Sequence, residues 1–311
     1  MITKEAKELT NYNNIYFTSS ARVGFRHLLH SLEFNNDEKI LLPSYIGITD
    51  KEGSGVIDPV ETVGIDYEFY PIANDFSIDK DEFRIMAETR KFKAALIIHY
   101  FGFLQSDIEF IQKVCKDNSI LLIEDCAHAL YSSHKKTFLG DYGDFSFYSI
   151  HKFLPSKDGG ILKINNSDYS LAPLKNSDKI SSESLEIFSK ARESEISRIR
   201  IDNYLYLLKL LKSVDDIGIV YPKLDEGIVP MNFPILIKNI SREKLYFKLA
   251  DKDFPTIALY YRLVESISKK LFPISHQLSK TILNLPVHQD TSKEDIDTLV
   301  DALVKSIQSL K

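Results

Sequence analysis

The stretch Ile120-Leu-Leu-Ile-Glu-Asp125-Cys-Ala-His128-Ala129 decides the fold, because its apolar run ends in two carboxylates. A short, continuous apolar run of this kind is typical of a strand buried on both faces of a parallel sheet. Open α/β sheets bind their ligands beyond the carboxyl ends of their strands. We therefore expect Asp125, at the end of the run, to face a ligand.

A second informative segment is Phe145-Ser-Phe-Tyr-Ser-Ile-His151-Lys152, which continues to Asp158-Gly159-Gly160. Paired glycines allow the backbone to pass close to a bulky neighbour. The apolar neighbours of Lys152 favour a lowered amine pKa, and hence a neutral nucleophile. Pyridoxal 5'-phosphate requires a lysine for its Schiff base, a carboxylate at the pyridinium nitrogen and hydrogen-bond donors for its phosphate. The acid, the lysine and the small-residue loop together indicate this cofactor.

These motifs resemble the DegT/DnrJ/EryC1/StrS family of sugar aminotransferases, in which Glu-Asp-x-Ala-(Gln/His)-Ala is followed by Phe-Ser-Phe, a lysine and an acid-Gly-Gly. The resemblance runs from about Phe17 to Gly160 and resumes near Leu285-Pro-Val-His-Gln-Asp290. It implies an α/β protein of PLP-dependent transferase fold type I. We expect a large cofactor-binding domain over residues 1–185, with a mostly parallel sheet flanked by helices. A linker helix and a smaller α+β C-terminal domain would occupy residues 186–311.

The resemblance also implies roles for individual residues. Lys152 would carry the Schiff base and move the proton, Asp125 would keep the pyridine nitrogen protonated, and His128 would approach the ring hydroxyl. Ser146 and the Ser19-Ser20 turn would hold the phosphate. The predicted catalytic residues are thus Lys152, Asp125 and His128. The predicted cofactor-binding residues are Ser19, Ser20, Ala21, Tyr45, Asp125, His128, Ser146 and Lys152.

Several of these positions have a structural alternative. The Thr18-Ser19-Ser20-Ala21 turn stands at a predicted helix N-terminus, which is a favourable anion site but also an ordinary place for a helix cap. Tyr45 could stack on the cofactor ring or pack in the core. His99 matches a His-x-x-Gly of the family or braces its loop. A metal cluster of His99, Asp125 and His128 lacks the close spacing typical of metal ligands.

The position of the reactive lysine has a competing assignment. Counted back from Asp158-Gly159-Gly160, the Schiff-base position falls on Lys152, whereas counted forward from Phe145-Ser146-Phe147 it falls on His151. A branch that resembles this family has histidine there and performs sugar 3-dehydration. The adjacent lysine favours transamination, with a one-residue bulge absorbing the difference. A non-catalytic ligand-binding or regulatory relative is the third alternative, although such a module would not need the whole set of reactive residues.

Composition is compatible with an enzyme of this kind. The chain has 311 residues, 44% of them hydrophobic, and this length favours two domains. A net charge of −5 without a basic block argues against nucleic-acid binding. No apolar run approaches the ~20 residues of a membrane span, and no signal-peptide pattern is present, so we expect a cytoplasmic protein. Cys115 and Cys126 fit reduced core thiols.

The expected activity is therefore transfer of an amino group from a donor such as glutamate to a keto sugar, usually nucleotide-linked, by a homodimer. Alternation of strands and helices predicts repeated βαβ units in the first half of the chain. The predicted strands cover residues 15–18, 39–42, 94–98, 120–124, 160–164 and 233–237, and the predicted helices cover residues 21–32, 77–91, 184–212 and 293–310, with another opening at Ser106.

Overall fold

The structure is a computed structural model that describes residues 14–104 and 107–311. Its strands are β1 (Ile15–Thr18), β2 (Lys39–Pro43), β3 (Asp66–Tyr70), β4 (Phe92–Ile98), β5 (Leu121–Asp125), β6 (Ser133–His134), β7 (Thr137–Phe138), β8 (Phe145–Ser149), β9 (Gly160–Ile164), β10 (Ile217–Ile219), β11 (Asn232–Ile237) and β12 (Ile282–Pro286). Its α-helices are α1 (Ala21–Ser31), α2 (Ile57–Val63), α3 (Lys80–Glu88), α4 (Ile108–Asp117), α5 (Ser182–Ser189), α6 (Glu193–Leu211), α7 (Arg242–Ala250), α8 (Pro273–Thr281) and α9 (Lys293–Gln308).

The large sheet has the strand order β1-β9-β8-β5-β4-β2-β3. Five adjacent strands run parallel to one another, in the order β3, β2, β4, β5 and β8. Strand β9 is antiparallel to both β8 and β1. The predicted mostly parallel sheet is therefore confirmed. Because β5 and β8 are parallel neighbours, Asp125 and the turn that follows Ser149 lie at the same edge of the sheet.

Two helices begin later than the pattern predicted, and each does so at an aspartate cap. The spacing of Asp79 and Glu82 in the sequence predicts Asp79 as an N-cap, and Asp79 does accept a hydrogen bond from the Glu82 N–H, so α3 starts after Asp79 although the helical pattern extends back to Ser77. Asp107 accepts one from the Phe110 N–H at the start of α4. Ser106, the predicted opening residue of that helix, lies outside the described residues.

The long helix predicted over residues 184–212 is instead two helices, α5 and α6. Ser181 caps α5 by accepting from the Ser184 N–H. The Ser189 hydroxyl donates to the Glu186 carbonyl at 2.8 Å, a local bond that competes with helix continuation. Arg192 then leaves the helical region with φ −93° and ψ 81°, and α6 begins at the next residue.

The C-terminal part of the chain forms a smaller sheet of three antiparallel strands, in the order β10-β11-β12. Helix α9 packs against α6 and α7 beside it. These elements have the expected α+β character, and the boundary after residue 185 stays a prediction. Among the helices that the structure describes, none is both long and apolar enough to cross a bilayer.

Candidate functional site

A cavity of about 1050 Å³ opens at the carboxyl ends of β5 and β8. Three separate parts of the chain meet there: the start of α1, the segment after β5 and the turn after β8. The predicted site residues that line the cavity are Ser20, Ala21, Asp125, His128 and Lys152, together with the alternative base His151. The sheet topology thus brings together residues that are distant in sequence.

Asp125 is the last residue of β5 and only 7% exposed. Its Oδ1 accepts a hydrogen bond from the Ala127 N–H at 2.9 Å, which fixes the orientation of the carboxyl group. Burial raises the pKa of Asp125, while the Ala127 N–H and the nearby Lys152 and His99 act in the opposite direction. This side chain is suited to hold a proton on a basic nitrogen placed in the cavity.

Lys152 lies in a tight turn that directly follows β8. The Ile150 carbonyl accepts hydrogen bonds from the Phe153 and Leu154 N–H groups, each at 3.0 Å, which closes the turn around Lys152. Burial lowers the pKa of Lys152, opposed by the negative charges of Asp125 and Glu52. A lysine amine with a lowered pKa is more often neutral, as a nucleophile or base must be.

His151 also lines the cavity, but it is exposed and has different neighbours. Its Nδ1 pairs with the Ser149 hydroxyl at 3.2 Å. Burial and then Lys152 lower the pKa of His151, whereas Glu52, Asp158 and the Gly159 backbone raise it. Asp125 thus interacts with the lysine of this pair and is not among the groups that shift the histidine.

The extra residue between the serine motif and the lysine is not absorbed by a bulge inside β8. The register of β8 against β9 runs without a shift from the Phe145–Ile164 pair to the Ser149–Gly160 pair. The accommodation lies instead in the turn after Ser149. This differs from the bulge that the sequence predicted, because a strand with antiparallel and parallel partners on its two sides loses ladder bonds if it bulges.

His128 is buried at the back of the cavity, and its tautomer follows from its contacts. Its Nδ1 accepts a hydrogen bond from the Phe101 N–H at 3.2 Å, so a neutral ring carries its proton on Nε2. Burial holds the pKa of His128 well below its usual range, and the Lys152 charge adds to this effect. His128 is therefore a neutral hydrogen-bond donor at physiological pH.

The start of α1 provides the anion-binding end of the cavity. Ser20 is the N-cap, and its hydroxyl accepts from the Val23 N–H at 3.3 Å. The first intrahelical bond runs from the Gly24 N–H to the Ser20 carbonyl, so the Ala21 and Arg22 N–H groups precede the helical hydrogen-bond ladder. Free N–H groups at the positive end of a helix dipole are favourable for a phosphate.

Ser19 has a different part in this turn. Its N–H donates to the Asp178 carbonyl and its carbonyl accepts from the Gly159 N–H, both at 2.8 Å. A Cβ on Gly160 would lie 2.4 Å from the Ala21 nitrogen. The bulky neighbour of the paired glycines is therefore the first peptide of α1, and Ser19 secures that contact without lining the cavity.

Besides Ser19, two more of the predicted cofactor ligands, Ser146 and Tyr45, lie outside the cavity lining. Ser146 is completely buried, with its hydroxyl 3.4 Å from the Tyr148 hydroxyl. Because side chains alternate along a strand, Ser146 and Tyr148 lie on one face of β8, whereas Phe147 and Ser149 line the cavity. Ser149 is thus the β8 serine that can contact a ligand. The period of two along the strand was the signal that identifies it.

Tyr45, the predicted stacking residue, is a core side chain. Its ring is 0% exposed and packs against those of Phe76, Tyr100 and Tyr260. Of these aromatic residues, Tyr260 lines the cavity. Tyr260 lies in the C-terminal part of the chain, and no motif in the sequence points to it.

His99 and Glu124 form a buried pair behind the site. His99 Nε2 lies 2.8 Å from Glu124 Oε2, and both side chains are 0% exposed. Glu124 also accepts hydrogen bonds from the Gly140, Tyr142 and Gly143 N–H groups. This network holds the loop that precedes β8, which agrees with the bracing alternative for His99.

Potential metal ligands cluster once among the described residues, at His99, Glu124 and Cys126, whose ligand atoms lie within 4.8 Å of one another. The N–H groups bound to both Glu124 oxygens already occupy that carboxylate. The metal cluster considered from the sequence, with His99, Asp125 and His128 as ligands, is not the group whose ligand atoms lie close together. The arrangement is therefore that of a structural network.

The outer cavity is lined by other segments. Gly53, Ser54 and Gly55 contribute, whereas the loop over residues 165–179 does not. Arg22 and Arg242 add positive charge to the wall. The site therefore combines a buried acid–lysine pair with a cationic outer region.

Comparison with known proteins agrees with this geometry. The model of the DegT/DnrJ/EryC1/StrS aminotransferase family matches residues 5–172. A dTDP-3-amino-3,6-dideoxy-alpha-D-galactopyranose transaminase from Aneurinibacillus thermoaerophilus is 26% identical over an alignment of 262 residues that covers 75% of this chain and 70% of that protein. A UDP-4-amino-4,6-dideoxy-N-acetyl-beta-L-altrosamine transaminase from Helicobacter pylori is 22% identical, with 98% and 93% of the two chains covered.

Solved structures show the same fold at lower identity. The aminotransferase TlmJ from Streptoalloteichus hindustanus has a TM-score of 0.79 at 19% identity, covering 96% of this chain and 87% of that chain. The PLP-form structure of Spr1654 from Streptococcus pneumoniae has a TM-score of 0.81 at 16% identity, with 96% of this chain and 88% of that chain covered. These likenesses establish the fold.

Proposed function

Because the chain belongs to the DegT/DnrJ/EryC1/StrS aminotransferase family, we propose that it transfers an amino group from an amino acid such as glutamate to a nucleotide-linked keto sugar. The relatives named above are transaminases of dTDP- and UDP-linked sugars. The observation that carries the proposal is the meeting of Asp125, Lys152 and the start of α1 around one cavity.

The residues of the cavity fit pyridoxal 5'-phosphate, the cofactor on which this family depends. The Ala21 and Arg22 N–H groups offer donors for a phosphate, and the Ser149 hydroxyl lies on the same cavity wall. Asp125 offers a carboxyl group for a pyridine nitrogen, and His128 offers an Nε2–H donor. Lys152 supplies the amine for covalent attachment. Each group that the cofactor requires is thus present on one surface.

When bound, the cofactor supplies an electron-poor ring that accepts the electron pair left as a bond to the donor's Cα breaks. Asp125 would hold the proton on the pyridine nitrogen as a carboxylate, and the positive charge of that nitrogen would offset the burial that raises the Asp125 pKa in the cofactor-free protein. Lys152 would take the proton from the donor's Cα through Nζ, and its lowered pKa favours the neutral amine needed for that step.

The outer cavity supports an anionic substrate. Arg242 Nη2 donates to the Ser279 carbonyl at a long 3.4 Å, which leaves the guanidinium able to pair with a carboxylate or phosphate. Arg22 lies 3.6 Å from Asp58, a loose ion pair at the opposite wall. Both an amino-acid donor and a nucleotide-linked sugar carry the negative charge that these cations would bind.

We also propose that the enzyme works as a homodimer. Phe247, Ile257 and Tyr261 are 55%, 55% and 47% exposed and line the mouth of the cavity. A second copy placed over this apolar rim would cover it and narrow the entrance. Light scattering at several protein concentrations would test the assembly, with a monomer at all concentrations contradicting it.

The first experiment is the absorbance spectrum of the protein with pyridoxal phosphate, followed by borohydride reduction and peptide mapping. A yellow protein with a reduced adduct on Lys152 is expected, together with glutamate-dependent amination of a nucleotide-linked keto sugar. Bound cofactor without a lysine adduct would instead favour 3-dehydration with His151 as the base. Absence of cofactor binding would overturn the catalytic assignment and leave the ligand-binding alternative.

A further inference from the structure

Arg200, on α6, is a fully buried arginine whose hydrogen bonds go to neutral groups. It is 0% exposed. Its Nε donates to Gln289 Oε1 at 2.9 Å, and its Nη1 donates to the Met231 carbonyl at 3.0 Å. Within the described part of the chain its Nη2 has no hydrogen-bond partner. A buried cation in such surroundings is costly, so its retention calls for a role beyond packing.

The hydrogen bond of Arg200 to Gln289 and its ring contact both lead to Phe153. Gln289 accepts from Arg200 and at the same time donates from Nε2 to the Phe153 carbonyl at 2.7 Å. The Arg200 guanidinium also lies over the Phe153 ring, 4.6 Å from its centroid. Phe153 is thus held through its backbone and its side chain by a single arginine–glutamine pair.

This contact joins the C-terminal part of the chain to the reactive turn. Arg200 comes from α6 and Gln289 from the segment after β12, whereas Phe153 directly follows Lys152. The Phe153 N–H donates to the Ile150 carbonyl, which closes the turn from within. The Leu154 N–H, which shares a peptide unit with the Phe153 carbonyl, also donates to the Ile150 carbonyl, so Gln289 binds a peptide unit that helps to close the turn around Lys152.

We propose that Arg200, acting through Gln289, is a positioning residue that fixes the Lys152 turn against Asp125. The inference rests on the function proposed above for Lys152. The amide at position 289 can accept from a guanidinium and donate to a carbonyl at once, because it carries both an acceptor oxygen and an NH₂ donor. A carboxylate there would keep the first bond and lose the second, so the two contacts can be separated by substitution.

The test compares Gln289→Glu with Asn203→Ala. Asn203, also on α6, donates to the His288 and Thr291 carbonyls at 3.2 and 2.9 Å. It therefore secures the same segment as Gln289, and neither of these two hydrogen bonds reaches Phe153. Asn203→Ala controls for general loosening of the segment, whereas Gln289→Glu keeps the bond from Arg200 and removes the donor to the Phe153 carbonyl.

The first measurement is the rate at which acetic anhydride acetylates Lys152 in the cofactor-free protein across a pH series, followed by peptide mass mapping. In Gln289→Glu we expect the half-maximal pH for Lys152 to move away from the wild-type value, with unfolding still cooperative. We expect Asn203→Ala to lower the free energy of unfolding and leave that pH in place. Arg200→Met should reproduce the Gln289→Glu shift, and Arg200→Lys should restore part of the wild-type value.

The second measurement separates this inference from the proposed function. If the wild type transaminates, Gln289→Glu should lower kcat on the order of 10²-fold, as expected for a displaced reacting group, with the KM of the sugar substrate little changed. An unchanged Lys152 pH profile in Gln289→Glu, or an equal change in Asn203→Ala, would overturn the positioning role. Failure of the wild type to attach the cofactor at Lys152 would contradict the proposed function instead.

Discussion

Glu124 and Asp125 are adjacent in sequence, yet their carboxyl groups serve opposite faces of β5. Glu124 is fully buried and accepts from His99 and three backbone N–H groups of the loop before β8. Asp125 lines the cavity beside Lys152. The alternation of side chains along a strand thus places Glu124 in a buried hydrogen-bond network and Asp125 in the wall of the cavity.

This division predicts separable effects of two matched substitutions. Asp125→Asn keeps the bond from the Ala127 N–H and removes the carboxylate, so we expect kcat to fall about 10²- to 10⁴-fold with the fold intact. Glu124→Gln removes a charged acceptor of several buried donors and should lower the free energy of unfolding by about 3 kcal/mol. Urea unfolding and steady-state kinetics on both variants distinguish the roles; equal loss of stability in the two would contradict them.

Lys152 and His151 are predicted to differ in importance. Lys152→Ala should abolish formation of the borohydride-reducible adduct and lower amino transfer by at least about 10⁴-fold, because it removes both the covalent attachment and the base. His151→Asn leaves Lys152 and Asp125 in place and should retain activity within about tenfold, less than the loss of a base. Activity that survives Lys152→Ala and disappears in His151→Asn would support the dehydratase alternative.

The close approach of Gly160 to the start of α1 predicts a steric requirement. In Gly160→Ala the new methyl group would lie 2.3 Å from the Ser20 carbonyl carbon and 2.4 Å from the Ala21 nitrogen. Both are backbone atoms, which cannot rotate away. The start of α1 must then shift, so we expect cofactor affinity to fall at least tenfold. The control is Gly218→Ala, on β10. The atom nearest to its new methyl group would be in the flexible end of the Lys238 side chain, at 3.1 Å. Fluorescence titration with pyridoxal phosphate measures both.

The raised pKa of Asp125 predicts how the stability of the cofactor-free protein depends on pH. Between the ordinary value of about 3.9 and the raised folded value, the folded state binds more protons than the unfolded state. The Asp125 contribution to stability is therefore largest at low pH and is lost as the pH rises through this window. Asp125→Asn lacks this term, so its stability relative to wild type should increase with pH there. A constant difference would contradict the assignment.

The buried hydroxyl of Tyr45 predicts a stabilising substitution. Tyr45 Oη has no hydrogen-bond partner among the described residues, whereas Tyr100 Oη donates to the Tyr45 carbonyl at 2.6 Å. Tyr45→Phe should raise the free energy of unfolding by about 1 kcal/mol, and Tyr100→Phe should lower it by a similar amount. Cofactor affinity should not change in Tyr45→Phe. A large loss of cofactor affinity in Tyr45→Phe would indicate instead that the Tyr45 hydroxyl contributes to cofactor binding.

The motifs around Asp125 and Lys152 could be interpreted from the sequence because their chemistry is local. A buried strand ending in an acid, and a lysine followed by an acid and paired glycines, occupy short stretches whose pattern survives without knowledge of the fold. The local pattern did not distinguish Ser146 from Ser149. Both serines fit the motif, and only the orientation of β8 against its neighbours placed Ser149 on the cavity side.

The sequence by itself determined the parallel α/β character, the helix caps at Ser20 and Asp79, the acid–lysine pair and the family. These depend on apolar periodicity and on hydrogen bonds between residues close in the chain. Only the tertiary structure decided that Asp125, His151 and Lys152 line one cavity, that Tyr260 rather than Tyr45 lies in its wall, and that Arg200 reaches the Lys152 turn through Gln289. Such contacts join distant segments, so they depend on the packing of the sheet and the C-terminal elements, which no local pattern encodes.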